Sequence, residues 1–229
     1  MKKMNKKWIV SCLVILLIGI GIIFNFTSDN SVEKELYENL SQINAVYVDS
    51  GLVEQTKEKI KEKEDQIGDP EIDQYLLQIG IAQMYELLGD GVNAYEHLLD
   101  ATETLPQKSL AYRNLGILLV NAEVYEDGES YLRRAIEAET TIAQNHTALI
   151  DYYTRFKSGD EREIEQIFKN ARESTNDNTN VLRLYAIWLE EKGDYIYALD
   201  IWKLILRNGG ANTSVERRIE SLTEKINSN

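Results

Sequence analysis

The chain has 229 residues, 43% of them hydrophobic and only 2 of them proline, so a folded core is expected and disorder is not. Its formal net charge of -13 disfavours nucleic acid as a partner, because phosphates would be repelled. The single cysteine, Cys12, excludes an intrachain disulfide and a cysteine-rich metal site.

The chain begins with a basic stretch followed by an apolar run. Four lysines lie within residues 1–7, and residues 8–26 form an almost unbroken apolar segment of 19 residues. A helix of this length just spans a hydrocarbon core of about 30 Å. Since lysines favour the cytoplasmic side, we predict a cytoplasmic basic tail over 1–7 and a single transmembrane anchor over 8–26. The body would then lie outside the cell membrane.

The N-terminal segment has two alternative interpretations. A cleaved signal peptide needs small residues after the apolar run, and only Gly19 and Gly21 are weak candidates. Residues 9–12 resemble a bacterial lipobox that ends in an acylated Cys12, but here the apolar run follows the cysteine instead of preceding it. An uncleaved anchor is therefore favoured. The lysine- and asparagine-rich N-terminal segment resembles those of bacterial proteins.

Residues 27–70 contain two amphipathic helical patterns. The first has Ser31 as its expected N-cap, and its apolar stripe consists of Val32, Leu36, Leu40 and Ile43. The second covers 52–67 and is rich in lysine and glutamate. We interpret this region as a helical stalk or a degenerate leading repeat, with residues 68–70 marking its end.

Residues 71–212 repeat with a period of 34. Equivalent positions are separated by 34, 34 and 36 residues in the series Ala82, Gly116, Ile150 and Ala186. A second series, Leu98, Leu132, Phe168 and Trp202, is separated by 34, 36 and 34. A third series, Tyr85, Leu119, Tyr153 and Leu189, keeps the spacing of the first, so a two-residue insertion falls between Tyr153 and Phe168. We predict four copies, at about 75–108, 109–142, 143–178 and 179–212.

Each copy contains two amphipathic segments joined by a short turn. The pairs Gly89-Asp90 and Gly193-Asp194 fit tight turns, because glycine accepts a positive φ. Small residues stand where two helices would cross, namely Ala82 with Ala94, Gly116 with Gly128, and Ala186 with Ala198. The third copy has Ile150 and Ile164 instead, so we predict that its helices are splayed.

This pattern resembles the tetratricopeptide repeat (TPR). The 75–108 copy carries the signature best, with Ile81-Ala82, Tyr85, Gly89-Asp90, Ala94, Leu98, Ala101 and Pro106. The resemblance implies an all-α, TPR-like solenoid of antiparallel helix pairs behind the transmembrane helix. Residues 213–229 would form a C-terminal capping helix.

No catalytic template is found in the sequence, so we expect no enzyme and no cofactor. There is no phosphate loop, no zinc-protease motif and no calcium loop. His97 is interpreted as a surface residue and His146 as a core residue, because His146 occupies the position of a large repeat side chain.

The resemblance implies a groove lined by the first helix of each pair. That face would present Leu76, Ile79, Gln83, Glu86, Arg113, Ile117, Val120, Asn121, Thr147, Asp151, Arg155, Arg183, Ile187 and Glu190. Its three arginines would either bind carboxylates of a partner peptide, or pair with Asp151, Glu86 and Glu190. The lysine–asparagine clamp of chaperone-binding family members is not reproduced, since only Asn114 matches.

The sequence therefore predicts a membrane-tethered adaptor or scaffold that binds protein or peptide partners outside the cytoplasm, for envelope assembly or secretion. Three alternatives remain open at this point. They are a holdase-like helper beside a translocon, a non-catalytic anchoring subunit of an enzyme complex, and a self-associating spacer.

Overall fold

The computed structural model describes residues 33–46, 49–209 and 213–228, and all regular structure in these ranges is helical. The helices are α1 (33–40), α2 (Ser50–Glu64), α3 (Gln74–Leu88), α4 (Gly91–Thr104), α5 (Ser109–Asn121), α6 (Tyr125–Ala138), α7 (Ala143–Phe156), α8 (Glu161–Ser174), α9 (Thr179–Glu191), α10 (Tyr195–Arg207) and α11 (Thr213–Asn227).

The predicted cytoplasmic tail (1–7), the apolar segment (8–26), Cys12 and the expected N-cap Ser31 all lie outside the described residues. None of the helices within 33–46, 49–209 and 213–228 has both the length and the apolar character needed to cross a bilayer.

Helices α3 to α10 form four consecutive helical hairpins, and two of the turns follow the predicted Gly-Asp pattern. Gly89 has a φ of 77° and Gly193 a φ of 81°, in the left-handed region. After each glycine the next backbone N–H returns to the helix, from Asp90 to the Tyr85 carbonyl and from Asp194 to the Leu189 carbonyl, both at 2.9 Å. These bonds satisfy carbonyls at the helix ends and stop the helices there.

The small residues lie at the predicted helix crossings. Ala82 and Ala94 are both completely buried in one core cluster. A Cβ atom added to Gly116 would lie 2.6 Å from the Leu132 Cγ and 2.9 Å from the Gly128 carbonyl oxygen. The two backbones therefore approach so closely that only glycine fits at Gly116 without movement of its neighbours.

The third hairpin is looser than the other three, as predicted. Its turn covers 157–160, whereas the other turns have two or three residues. At the crossing, Ile150 is 2% exposed and Ile164 is 1% exposed, and their bulk separates α7 from α8. These two helices consequently contact each other less extensively than the helices of any other hairpin.

The hairpins stack around two main clusters of buried side chains. One buried cluster spans the first two hairpins, and a second joins the last two to α6 and α11. Helix α11 buries Val215 and Leu222 against this second cluster and covers its open end. Stacking buries the outer apolar stripe that a lone hairpin would leave exposed to water.

Residues 33–46 and 49–64 pack on the first hairpin. Leu40 is completely buried, and a Cβ atom on Gly91 would collide with its carbonyl oxygen. The chain then crosses the turn of the hairpin, where the Val46 N–H donates to the Leu87 carbonyl at 3.0 Å. Helix α2 lays Ile60 against Leu77 and Ile81, so the core extends beyond the four repeats.

Candidate functional site

The first helices of the hairpins, α3, α5, α7 and α9, carry the residues that the sequence assigns to a groove. We call this surface the first-helix face. Leu76 and Ile117 are the most exposed large apolar side chains on it, with 55% and 39% of their surface accessible. Gln83 and Asn121 are also exposed. These four residues are available to a partner.

A cavity of about 450 Å³ opens on this face between α3, α5 and the segment 43–46. We call it the N-terminal cavity. It is lined by Ile43, Asn44, Val46, Gln83, Glu86, Leu87, Leu118 and Asn121. Of the predicted groove residues it brings together Gln83, Glu86 and Asn121. Residues 43–46, Leu87 and Leu118 were not predicted to take part, because the repeat signature says nothing of how the preceding segment folds back.

Among the described residues, Glu86 is the only charged side chain that lines the N-terminal cavity. Within the part of the chain that the structure describes, no basic side chain lies within ion-pairing distance of its carboxylate. Burial alone raises its pKa above the usual value for a glutamate. The half-buried carboxylate is therefore partly shielded from water and has no counter-ion within the described structure.

Arg113 is engaged inside the protein. Its guanidinium donates to the Asn145 side-chain oxygen at 3.3 Å, and burial lowers its pKa. Asn145 is completely buried and donates in turn to the carbonyls of Ala135 and Glu139, at 2.9 and 3.0 Å. This arrangement fixes the C-terminal end of α6 to α5 and α7, which explains a buried amide at this position.

A second set of hydrogen bonds lies at the start of α5. The Glu139 carboxylate accepts from the backbone N–H and the hydroxyl of Ser109, at 2.8 and 2.7 Å, and these bonds lower its pKa. The Tyr75 hydroxyl accepts from the Ala111 N–H at 3.1 Å. The unpaired amides at this helix N-terminus are thus satisfied by neighbouring helices.

The other predicted arginines differ from Arg113. Arg155 pairs with Asp151 one turn away on α7, at 3.0 Å and in an exposed position where an ion pair contributes little stability. Arg183 is half-buried on α9, and none of the described acidic groups lies within ion-pairing distance of it. Glu190 pairs with Arg218 of α11 at 2.8 Å. The arginines therefore do not form one common cluster.

Three of the predicted groove residues serve mainly in packing. Ile79 is only 3% exposed and belongs to the core, so its side chain is not offered to a partner. Val120 and Ile187 are half-buried and pack against the core of the last two hairpins. Thr147 is also half-buried on α7. Helix stacking draws these positions inward at the contacts between successive hairpins.

The two histidines occupy different environments. His146 is 2% exposed and its Nε2 lies 2.6 Å from the Thr140 carbonyl, which confirms a core position. His97 was expected on the surface, but its ring is largely covered and stacks on Tyr85 at 5.6 Å. Its Nδ1 lies 2.5 Å from the Gln78 side-chain oxygen, so it helps to join α3 and α4.

Comparison with known proteins identifies the architecture. No family model matches the chain, and no curated protein matches it by sequence. Among solved structures, PilF of Pseudomonas aeruginosa superposes with a TM-score of 0.56 at 17% identity, over 87% of this chain and 86% of PilF.

Two further structures agree with this result. TTC0263, a thermophilic TPR protein of Thermus thermophilus, gives 0.53 at 16% identity over 83% of this chain and 98% of its own. MamA gives 0.50 at 17% identity over 80% of this chain and all of its own length. The likeness shows the fold alone, and that fold is a TPR-like solenoid.

Proposed function

We propose that this protein is a membrane-tethered adaptor or scaffold that binds protein or peptide partners on the extracytoplasmic side, in envelope assembly or secretion. The TPR-like fold supports a binding role, because stacked hairpins present a long surface for other chains. The apolar segment 8–26 and the lysines before it support the tether and its orientation. Tethering would hold the binding surface at high effective concentration near membrane partners.

The observation that carries the binding proposal is the exposed apolar surface on the first-helix face. Leu76 and Ile117 lie on neighbouring first helices, more than a third exposed. The cavity of about 450 Å³ has the size of a site that holds a side chain or a short segment of a ligand. Exposed apolar side chains on a surface that also contains a cavity are typical of interaction surfaces.

The test is crosslinking in cells followed by identification of the attached proteins, with the full-length chain carrying Leu76→Asp. A charge in the middle of an apolar contact should abolish specific crosslinks. Ile196→Asp is the matched control, because Ile196 is 63% exposed and also lies in the first turn of its helix, α10. Both changes place an acidic residue at a helix start, so neither should disturb folding.

Loss of the same crosslinks in both variants, or in neither, would reject the first-helix face as the binding surface. If the crosslinked product is a second copy of this chain, the self-associating spacer replaces the adaptor. The orientation is tested by adding protease to intact protoplasts. Digestion of residues 33–228 supports an extracytoplasmic body, and protection reverses the proposed orientation.

A further inference from the structure

The N-terminal cavity combines apolar walls with an acceptor-rich patch. Ile43, Leu87 and Leu118 contribute apolar surface. Gln83 and Asn121 line the cavity with Glu86, and each of their side-chain amides has an oxygen that can accept hydrogen bonds. A carboxylate and two amide oxygens can together accept several hydrogen bonds. Such a lining suits a group that donates several N–H bonds and carries a positive charge.

Other partly buried glutamates in the described structure have donors close by. Glu190 accepts from Arg218 and from the Trp202 ring N–H at 2.7 Å. Glu129 accepts from Arg133 at 2.8 Å, and Glu139 accepts from Ser109. Glu86 has neither a cation nor a donor of this kind within the described ranges, although burial removes part of its hydration. A partly buried carboxylate without a partner in a cavity is a candidate binding group.

The arginines of the first-helix face do not act as the counter-ion of Glu86. Arg113 donates to Asn145, and Arg155 pairs with Asp151. The alternative in which an arginine pairs with Glu86 is therefore not realised in this structure. The accessible charge in the N-terminal cavity is negative, and the ligand chemistry that complements it is cationic.

We propose that the N-terminal cavity binds a lysine or arginine side chain of a partner protein, with Glu86 as its counter-ion. Gln83 and Asn121 accept the remaining N–H bonds, and the apolar walls contact the methylene groups of the basic side chain. This inference rests on the proposed adaptor function and specifies the partner that the first-helix face selects. The net charge of -13 steers a basic partner towards the protein over a longer range.

The probes are acetylated and amidated tripeptides Gly-X-Gly, in which X is lysine, arginine, norleucine or glutamate. Isotope-labelled full-length protein in zwitterionic detergent is titrated with each probe and followed by NMR. We expect the lysine and arginine peptides to shift the amide signals of Gln83, Glu86 and Asn121 in a saturable manner. Norleucine has the aliphatic chain without the charge, so it should produce no comparable shift.

The decisive variant is Glu86→Gln, which keeps the shape of the side chain and removes its charge. The saturable shifts should disappear in Glu86→Gln and persist in Glu103→Gln. Glu103 is exposed on α4, so the control loses the same net charge away from the cavity. Equal shifts with norleucine, shifts that survive Glu86→Gln, or no shift with any peptide would each overturn the proposal. Preference for the glutamate peptide would overturn it in favour of the arginines.

The melting temperature and the crosslinking experiment distinguish a folding defect, and failure of the adaptor proposal, from failure of this inference. Because burial raises the pKa of Glu86, its ionised form disfavours the folded state at neutral pH. The melting temperature of Glu86→Gln at pH 7 should therefore equal or exceed that of the unaltered protein. If basic peptides fail to bind while Leu76→Asp still abolishes crosslinks in cells, the adaptor proposal stands and the basic-side-chain inference falls.

Discussion

Tyr153 is the residue on which three helices converge. Its hydroxyl lies 2.7 Å from a carboxylate oxygen of Glu129 on α6 and 2.7 Å from one of Glu163 on α8. Arg133 of α6 donates to the same hydroxyl at 2.6 Å and to Glu163 at 2.9 Å. The network joins α6, α7 and α8 at the hairpin whose two helices pack least closely. Polar contacts thus supplement apolar packing where isoleucines hold the helices apart.

Tyr153→Phe should lower the free energy of unfolding by about 2 kcal/mol, because the hydrogen bonds between its hydroxyl and the charged groups of the network are lost. Tyr152→Phe is a matched control. The hydroxyl of the adjacent Tyr152 is buried and makes no hydrogen bond of normal geometry with the described residues, although burial and the nearby Glu129 carboxylate raise its pKa. Its removal should change stability by less than about 0.5 kcal/mol or increase it. Urea unfolding followed by circular dichroism measures both values, and equal losses would show that the network is not stabilising.

Two glycines within helices, Gly116 and Gly80, have different surroundings. Gly116 lies where α5 and α6 nearly touch, and an added Cβ atom would overlap Leu132. Gly80 lies in the middle of α3, and a Cβ atom added there would meet no neighbouring atom within 4 Å. The first glycine is required by packing. The second only leaves the helix backbone more flexible.

The same substitution should therefore have opposite effects at the two sites. Gly80→Ala should raise the free energy of unfolding by about 0.5–1 kcal/mol, because alanine restricts the unfolded backbone and favours helix. Gly116→Ala should lower it by about 1–3 kcal/mol, because Leu132 and the α6 backbone must move. Thermal unfolding of the two variants, measured in parallel, tests both expectations. A stabilising Gly116→Ala would contradict the close approach of α5 and α6.

Local features of the helices were predictable from the sequence because their causes are local. The 34-residue period, the glycine of the Gly89 turn and the small residues at Ala82 and Ala94 each act through neighbours within one hairpin. The loose third hairpin followed from Ile150 and Ile164 in the same way. Regular spacing is sufficient to predict these features when each unit repeats the same packing.

Contacts between distant parts of the chain were not predictable in this way. The docking of Leu40 and Val46 on the first hairpin depends on how a non-repeating segment folds back over it. The bond between Arg113 and Asn145 links two hairpins at positions that the repeat signature leaves free. The repeat pattern left open whether the arginines bind a partner or pair internally. In the structure two of them have internal partners, and Glu86 does not have one among the described residues.

At the scale of the whole molecule, the solenoid has two ends that must be protected from water. Residues 33–46 and α2 cover the first hairpin, and α11 covers the last one. The apolar contact of helix α11 consists of the buried Val215 and Leu222 and the partly buried Ile219 and Ile226. A polar contact adds to it, because Arg218 reaches back to Glu190 on α9 at 2.8 Å. The Glu190 side chain is only 11% exposed, so this ion pair is better shielded than a surface pair.

Arg218→Ala should loosen the C-terminal end without unfolding the repeats, since removal of the guanidinium leaves Glu190 with the Trp202 ring N–H, at 2.7 Å, as its remaining donor among the described residues. We expect amide hydrogen exchange in residues 213–228 to become about fivefold faster, which corresponds to about 1 kcal/mol. Arg217→Ala is the control, because Arg217 donates to the Thr213 carbonyl of its own helix. Equal acceleration in both variants would indicate that the apolar contact alone holds α11. Acceleration confined to Arg218→Ala, with α3 to α8 unchanged, would show that each end of the solenoid is stabilised by its own contacts, as expected for a structure in which every hairpin touches only its neighbours.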